Sequence, residues 1–352
     1  MAEERMLITG ATGLVGRHTV ERALREGLIV RAIVRANSDR SALTVPEGVD
    51  PARLEFAEAD LAEPESFAEP LKSVDYVVHT AAKVGDWGDI EEYRKINCAA
   101  LETMLTLAEK QGDLKRWIQI SSLGVYPPRD HFGTDETAEI NLQGTDGYVL
   151  TKAESEVILR QHIEQHGLKA VMLRPGFLYG PGDRQVLPRL IERWETGKPV
   201  LLFGDGKKVL NNTYVGHIVE AVFLALRNED ALGEAFNIRD ERLVTREEFL
   251  NTVAEYLDKP HPKKIPLWLA RPLTNAAEGF ARLRNAKQAP MLTKARFKFL
   301  TLNLEYSIDK AKKVLGYKPY KDFQDGIREA LDWATAQKGA SSDEPTSVGT
   351  PS

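Results

Sequence analysis

The 352-residue chain holds one cysteine, Cys98. A single cysteine excludes an internal disulfide and a cysteine-rich metal site, and no metal centre is expected. Cys98 sits in the helical pattern YRKINCAALETMLTLAEK, where a small buried filler is the expected role. No uninterrupted apolar run is long enough to span a bilayer. The opening segment MAEERMLITG lacks the pattern of a cleavable leader, because its apolar run is short and acidic residues precede it. The net charge is only −5, without the basic excess that a nucleic-acid partner demands. These absences lead to the expectation of a soluble, cytoplasmic protein that acts on a small molecule. There is no internal repeat. The final residues KGASSDEPTSVGTPS have no apolar pattern, so 338–352 reads as a disordered tail.

What is present is alternation. RMLIT, LIVRAIVR, DYVVHT, RWIQISS and KAVMLRP are β-rich runs, separated by helical patterns such as LVGRHTVERALREG and IEEYRKINCAALETMLTLAEKQG. That order predicts βαβ units, a parallel sheet and right-handed crossovers: an α/β, Rossmann-type doubly wound fold over 1–175. After Pro175 the texture changes. GFLYGPGDR reads as a loop, and LFGDGK at Leu202 as a simple hairpin turn. Thr245 with Glu248 three residues on has capping-box spacing. Residues 176–337 are expected to form a smaller, mostly helical substrate lobe, with some segments returning to the Rossmann core.

MLITGATGLVGRH places Gly10, Gly13 and Gly16 between a predicted strand and a predicted helix. Such glycines permit a tight turn and close backbone approach to a pyrophosphate, and the helix N-terminus supplies free N–H groups. Thr12, Leu14 and Val15 share that cofactor loop. An acid at the end of the second strand would bond the ribose of NAD, whereas an arginine suits the 2′-phosphate of NADP. Arg35 holds that place and no acid precedes Asp39, so NADP(H) is favoured over NAD(H), with Arg40 as a second contact. Asp60, followed by Leu61, is placed to meet adenine, in competition with a plain helix cap.

YVLTK sets Tyr148 and Lys152 one helical turn apart on one face. A neighbouring ammonium favours the phenolate and lowers a tyrosine pKa. A tyrosine tuned in this way can carry a proton to or from a substrate oxygen. TGATGLVG, HTAA, ISS, YVLTK and LRPGFLYGPGD, in that order, resemble the extended short-chain dehydrogenase/reductase family over nearly the whole chain. Within it, AAKVGDWG, IPLWLA and YSIDKAKKVLGYKP are most similar to the group of 3β-hydroxysteroid dehydrogenases, sterol-4α-carboxylate 3-dehydrogenases and 2-alkyl-3-oxoalkanoate reductases.

The resemblance implies a catalytic set of Ser122, Tyr148 and Lys152, with Ser121 as the alternative serine. Tyr148 would be the general acid in reduction and the base in oxidation. Lys152 would hold the cofactor ribose and depress the tyrosine pKa, and Ser122 would steady the substrate oxygen. Ala81, Ala82, Lys83 and Pro175 would line the nicotinamide side. His79 is weighed equally as a core histidine and as a cofactor contact, and Asn97 as a backbone tie. Candidate substrate contacts are Ser121, Trp87 and Tyr179.

The function expected is hydroxyl–ketone interconversion on a hydrophobic substrate in steroid or lipid metabolism. A nucleotide-sugar epimerase or dehydratase is the rival on the same fold. It is disfavoured because GDGKKVLNNTYVGH offers no arginine for a diphosphate clamp. A non-catalytic NADP-binding redox sensor would typically lose the Tyr/Lys pair. Trp268, Leu269, Leu273, Phe280 and Leu283, with Arg271, Arg282 and Arg284, suit peripheral membrane contact, although cover for a pocket or the core is preferred. A homodimer is expected through the helices around Leu101 and Ser155.

Overall fold

The computed structural model describes residues 3–112, 114–284, 286, 288–290 and 292–342. Its first half runs β1 (Arg5–Thr9), α1 (Leu14–Arg25), β2 (Ile29–Val34), β3 (Leu54–Glu58), β4 (Tyr76–His79), α2 (Ile90–Arg94), α3 (Ala100–Gln111), β5 (Arg116–Ile120), β6 (His131–Thr134), α4 (Gly147–His166) and β7 (Ala170–Pro175). The second half continues with β8 (Phe177–Tyr179), α5 (Leu187–Glu195), β9 (Leu201–Phe203), β10 (Asn212–Tyr214), α6 (Val215–Arg227), β11 (Ala235–Ile238) and α7 (Arg246–Tyr256). It ends with β12 (Lys263–Ile265), α8 (Leu267–Leu283), α9 (Lys294–Thr301), β13 (Leu304–Tyr306) and α10 (Phe323–Ser342).

Seven strands form one parallel sheet in the order β11-β7-β5-β4-β1-β2-β3. Leu7 pairs with Arg31 on one side and Val77 on the other. The order therefore reverses at β1, which opens a crevice at the carboxyl ends of β1 and β4. Alternate side chains serve opposite faces. Met6 and Ile8 join Leu24, Ile118 and Phe223 beneath α1 and α6, while Leu7 joins Met104, Trp117 and Leu159 beneath α3 and α4. β1, β5 and β7 are covered on both faces, so they read as continuous apolar runs. A third cluster, including Tyr179, Leu187, Trp194, Phe249 and Phe323, forms the core of the second half.

Several local expectations are corrected. GFLYGPGDR is not all loop, because Phe177–Tyr179 pairs in parallel with Asn212–Tyr214. The strand gets there through Gly176, where a Cβ would stand 1.9 Å from the Asn211 carbonyl oxygen. LFGDGK does not close a hairpin, since β9 pairs in parallel with the distant β12. The long helix of residues 90–111 widens into a π-turn over Lys95–Ala99. There the Asn97 amide leaves the helix pattern to bind the Lys83 backbone, accepting its N–H at 2.7 Å and donating to its carbonyl at 3.1 Å. α10 continues to Ser342, past the expected start of the tail, because Ile327, Leu331 and Ala334 pack its inner face on the third cluster. The rest of the expected tail, 343–352, lies outside the described residues.

Two surface expectations concern α8 and the homodimer. α8 buries Ala270, Thr274 and Glu278 and leaves Trp268 77%, Leu273 59%, Phe280 55% and Leu283 82% exposed. Those four apolar side chains thus stand at the surface, and the Arg282 side chain lies outside the described residues. Leu101 and Ser155, which mark the helices expected to meet in a homodimer, are themselves buried within the chain.

Candidate active site

The loop after β1 is built for close approach. Gly10 has φ +63°, and a Cβ there would lie 2.6 Å from Thr80 Oγ1. A Cβ on Gly16 would lie 2.1 Å from the Gly10 carbonyl oxygen. The Gly13 N–H donates to that same oxygen at 2.9 Å, which closes the turn. α1 begins at Leu14 with Gly13 as its cap, and no side chain caps it. Its first N–H groups and positive end are therefore available to an anion. Thr12 and Leu14 are half-buried beside Gly13, while Val15 turns into the core. This cradle fits a dinucleotide pyrophosphate.

β4 is tied to this loop. Thr9 Oγ1 accepts the N–H groups of Thr80 and Ala81, each at 3.1 Å, and meets His79 Nδ1 at 2.9 Å. With two donors already taken, the Thr9 hydroxyl donates to His79. Burial, reinforced by the Lys152 charge, holds the His79 pKa down at about 3. His79 is a neutral core histidine that aligns two strand ends.

α4 carries the predicted pair. Asp146 caps it, accepting the N–H groups of Tyr148 at 3.0 Å and Val149 at 3.3 Å. Tyr148 is half-buried, and Lys152 is buried with Nζ 5.9 Å from the Tyr148 ring centroid. Lys152 Nζ donates to the Ile120 carbonyl at the end of β5, at 2.6 Å. The expected lowering of the tyrosine pKa is not found. Burial pushes Tyr148 up to about 12, and the Asp146 charge adds to it. Burial pulls Lys152 down to about 8, opposed by the negative charge of Glu156. Desolvation of the phenolate outweighs the nearby ammonium, and that explains the difference.

The two serines part company. Ser121 is buried and donates to Glu156 Oε1 at 2.6 Å. Ser122 is half-buried and accepts the Gly124 N–H at 3.0 Å, and among the described residues its own proton has no acceptor. A Cβ on Gly124 would lie between Ser122 Oγ and the Val149 side chain, at 3.3 and 3.4 Å. That glycine brings Ser122 up against the first turn of α4. Ser121 faces the interior and is withdrawn as a substrate contact. Tyr179 is withdrawn too: it is fully buried, with its hydroxyl donating to Asp240 at 2.8 Å. Trp87 is a strut, its indole N–H donating to the Ala286 carbonyl at 2.9 Å.

After β2 Arg35 is exposed, and its backbone N–H is held by Ser38 Oγ at 2.9 Å. Arg40 pairs with the exposed Glu58 at 2.6 Å and lies over Phe56. Asp60 accepts the Ala62 N–H at 2.9 Å, the local cap that competed with adenine, and Leu61 is buried behind it. Ala81, Ala82 and Lys83 line the half-buried loop after β4, where Lys83 pairs with Glu92. Pro175 ends β7 beside Ile238.

Residues 6–238 match the NAD dependent epimerase/dehydratase family. The chain belongs to that family. It is 30% identical over 349 residues to the decarboxylating sterol-4-alpha-carboxylate 3-dehydrogenase of Candida albicans, covering 94% of this chain and 97% of that one. It is 25% identical over 334 residues to the 2-alkyl-3-oxoalkanoate reductase of Shewanella oneidensis, covering 91% and 84%. In fold it resembles a UDP-glucuronic acid 4-epimerase from Bacillus cereus solved with UDP-glucuronic acid and NAD. The TM-score is 0.74 at 22% identity, covering 95% of this chain and 99% of the epimerase. The extended short-chain dehydrogenase/reductase character expected from the motifs is thereby established, and this family member is an oxidoreductase.

One part of this epimerase/dehydratase site was missed by sequence reasoning. Glu156, one turn beyond Lys152, takes Arg174 Nε at 2.8 Å and Nη2 at 2.5 Å, while Arg174 Nη1 donates to the Tyr126 hydroxyl at 2.7 Å. This fully buried network fastens α4 to β5 and β7. Its only sequence signal was the continuation of the Tyr148–Lys152 spacing to an acid at 156. The cap at Asp146 was legible as an acid just before a helical run.

Proposed function

We propose that the chain interconverts a hydroxyl and a ketone on a hydrophobic substrate, either a 3β-hydroxysteroid or sterol-like compound or a long-chain β-keto/β-hydroxy acid. NADP(H) is preferred over NAD(H). A bound nicotinamide supplies or receives the hydride. The observation that supports this reading is Lys152, bonded to the Ile120 carbonyl at the end of β5 and one helical turn from Tyr148, in the same sheet whose β1 leads into the glycine loop. Tyr148, protonated with a pKa near 12, gives its proton to the substrate oxygen in reduction and recovers one in oxidation. Ser122 donates its free hydroxyl proton to the same oxygen, where negative charge develops. Lys152, anchored on the Ile120 carbonyl, has two further N–H donors to orient the cofactor ribose.

Relatives with sterol and oxoalkanoate names span nearly the whole chain. The nucleotide-sugar reading rests on fold likeness, and the segment that would clamp a diphosphate is occupied. Lys208 pairs with Asp130 at 2.8 Å, and Asn212 donates to Asp240 at 2.7 Å. A panel of sterols, β-keto acids and UDP-sugars, each tried with both cofactors, tests the assignment by following nicotinamide absorbance. Tyr148→Phe should lower turnover by about 10²–10⁴-fold with cofactor binding retained. Wild-type-like turnover would remove Tyr148 from the chemistry.

We also infer that the protein is cytoplasmic and touches membranes peripherally through α8. No described helix is long and apolar enough to cross a membrane. The exposed stripe of Trp268, Leu273, Phe280 and Leu283 lies in a stretch, 259–298, with ten lysines and arginines against the single acid Glu278. That pairing of apolar and basic surface suits an anionic lipid interface. For a homodimer, the groove lined by Leu142, Val157 and Ile158 offers the free side of α4, and light scattering on the purified protein tests it.

A further inference from the structure

A cavity of about 410 Å³ opens beside the first turn of α1, between the loop after β2 and the segment after β8. Two arginines face it, Arg17 from α1 and Arg184 from the loop before α5. Arg17 is held in place by its surroundings. Its guanidinium lies over the Trp333 ring, 5.0 Å from the centroid. It also lies against Gly182, where a Cβ would come within 2.2 Å of its central carbon. Gly182 has φ +95°, so a side chain there would be strained as well as obstructive. His18 fixes this loop by bonding the Pro181 carbonyl at 2.7 Å. Among the described residues neither Arg17 nor Arg184 makes a hydrogen bond or ion pair, and their charges repel one another. The acids on the wall are engaged elsewhere. Asp39 takes the N–H and hydroxyl of Ser41 at 2.9 and 2.5 Å, and Glu21 pairs with Arg25 at 3.0 Å.

A planar guanidinium clamped from two sides, with its donors unclaimed and a second arginine opposite, suits a dianion. The Ser41 and Thr44 hydroxyls on the facing wall can add donors. We propose that Arg17 and Arg184 form a phosphomonoester site. The site flanks the Arg35–Ser41 loop, where the adenosine ribose of a dinucleotide would lie. The phosphomonoester is therefore the 2′-phosphate of NADP(H), with a free phosphate as the other source of the same chemistry. This rests on the NADP(H) reading above but moves the selecting charge from Arg35 and Arg40 to Arg17 and Arg184.

Calorimetric titration of the full chain with NADP⁺, NAD⁺, 2′-AMP and inorganic phosphate tests it, on wild type, Arg17→Gln, Arg184→Gln and Arg35→Gln. Wild type should bind NADP⁺ more tightly than NAD⁺. Arg17→Gln should weaken NADP⁺ and 2′-AMP by about ten- to a hundredfold, the loss expected for a charge-assisted contact. NAD⁺ affinity should stay within about twofold, which also shows that the variant folds. Should NADP⁺ and NAD⁺ bind wild type alike while 2′-AMP or phosphate binding depends on Arg17, the site stands as one for a free phosphate and the NADP(H) preference falls. Loss of NADP⁺ preference in Arg35→Gln, with Arg17→Gln unchanged, overturns the inference and leaves NADP(H) intact. No Arg17-dependent binding of any of the four ligands overturns it outright.

Discussion

Replacing Glu156 by glutamine tests the link between core and chemistry. Glu156 is fully buried, as is Arg174, and the two share two hydrogen bonds of 2.8 and 2.5 Å. Removing the carboxylate charge leaves the guanidinium with the neutral hydroxyl of Tyr126. Stranding a buried charge costs about 3–5 kcal/mol. At about 2–4 °C per kcal/mol for a chain of a few hundred residues, the melting point should fall by roughly 10 °C. Arg160 also approaches Glu156, at 3.7 Å, but its side chain is 41% exposed. Arg160→Ala should cost under about 1 kcal/mol. The effect reaches Lys152, because the Glu156 charge is what opposes the downward pull of burial. In Glu156→Gln the Lys152 pKa should fall further below about 8, so the alkaline limb of activity should move to lower pH. Urea unfolding and a pH–rate profile read the two effects separately. The reasoning fails if Glu156→Gln is no less stable than Arg160→Ala. Glu156→Gln combined with Arg174→Met should recover part of the stability, and no recovery would trace the cost to the Ser121 hydrogen bond instead.

Ketone reduction by the wild type should decline as pH rises through about 8, where Lys152 loses its proton while Tyr148, near 12, keeps its own. A limb that persists in Lys152→Met belongs to another group. The same lysine makes a stability prediction. Its folded pKa lies below the ordinary 10.5, so the unfolded chain binds more protons between about 8 and 10.5, and stability should rise with pH across that window. Lys152→Met should flatten the rise. Gly16→Ala forces a Cβ to 2.1 Å from the Gly10 oxygen, and both dinucleotides should bind at least about tenfold more weakly as the pyrophosphate cradle shifts. Gly27→Ala, with open space around it, should leave binding alone. Vesicles rich in anionic lipid should shift Trp268 fluorescence to the blue in a salt-sensitive way. An unchanged spectrum, or an equal response to neutral vesicles, removes the basic-patch account of α8.

Much of the candidate site's geometry was legible because it is local. The glycine spacing dictates a turn that only nearby residues complete, and Tyr148 and Lys152 share a face through helix periodicity alone. The strand–helix alternation predicted the parallel sheet, since strands buried on both faces leave continuous apolar runs. What the sequence could not supply was distance between segments far apart along it. Nothing in the residues of Ser121 and Ser122 says which hydroxyl faces the core, and Glu156, 35 positions from Ser121, made that choice. Tyr179 looked like a pocket residue until Asp240, 61 positions on, claimed its hydroxyl.

The one-dimensional pattern thus determined the fold class, the glycine turn after β1 and the Tyr148–Lys152 pair, because propensity and periodicity act between neighbours. Tertiary packing decided the proton affinity of those groups and the direction of their side chains. Burial raised Tyr148 and lowered Lys152 against the simple expectation for two adjacent residues. Packing likewise left α8 with its apolar side to the solvent and gathered Arg17, Gly182, Arg184 and Trp333 around one cavity. Desolvation and long-range contact depend on what surrounds a group in space, and the chain order does not encode that surrounding directly.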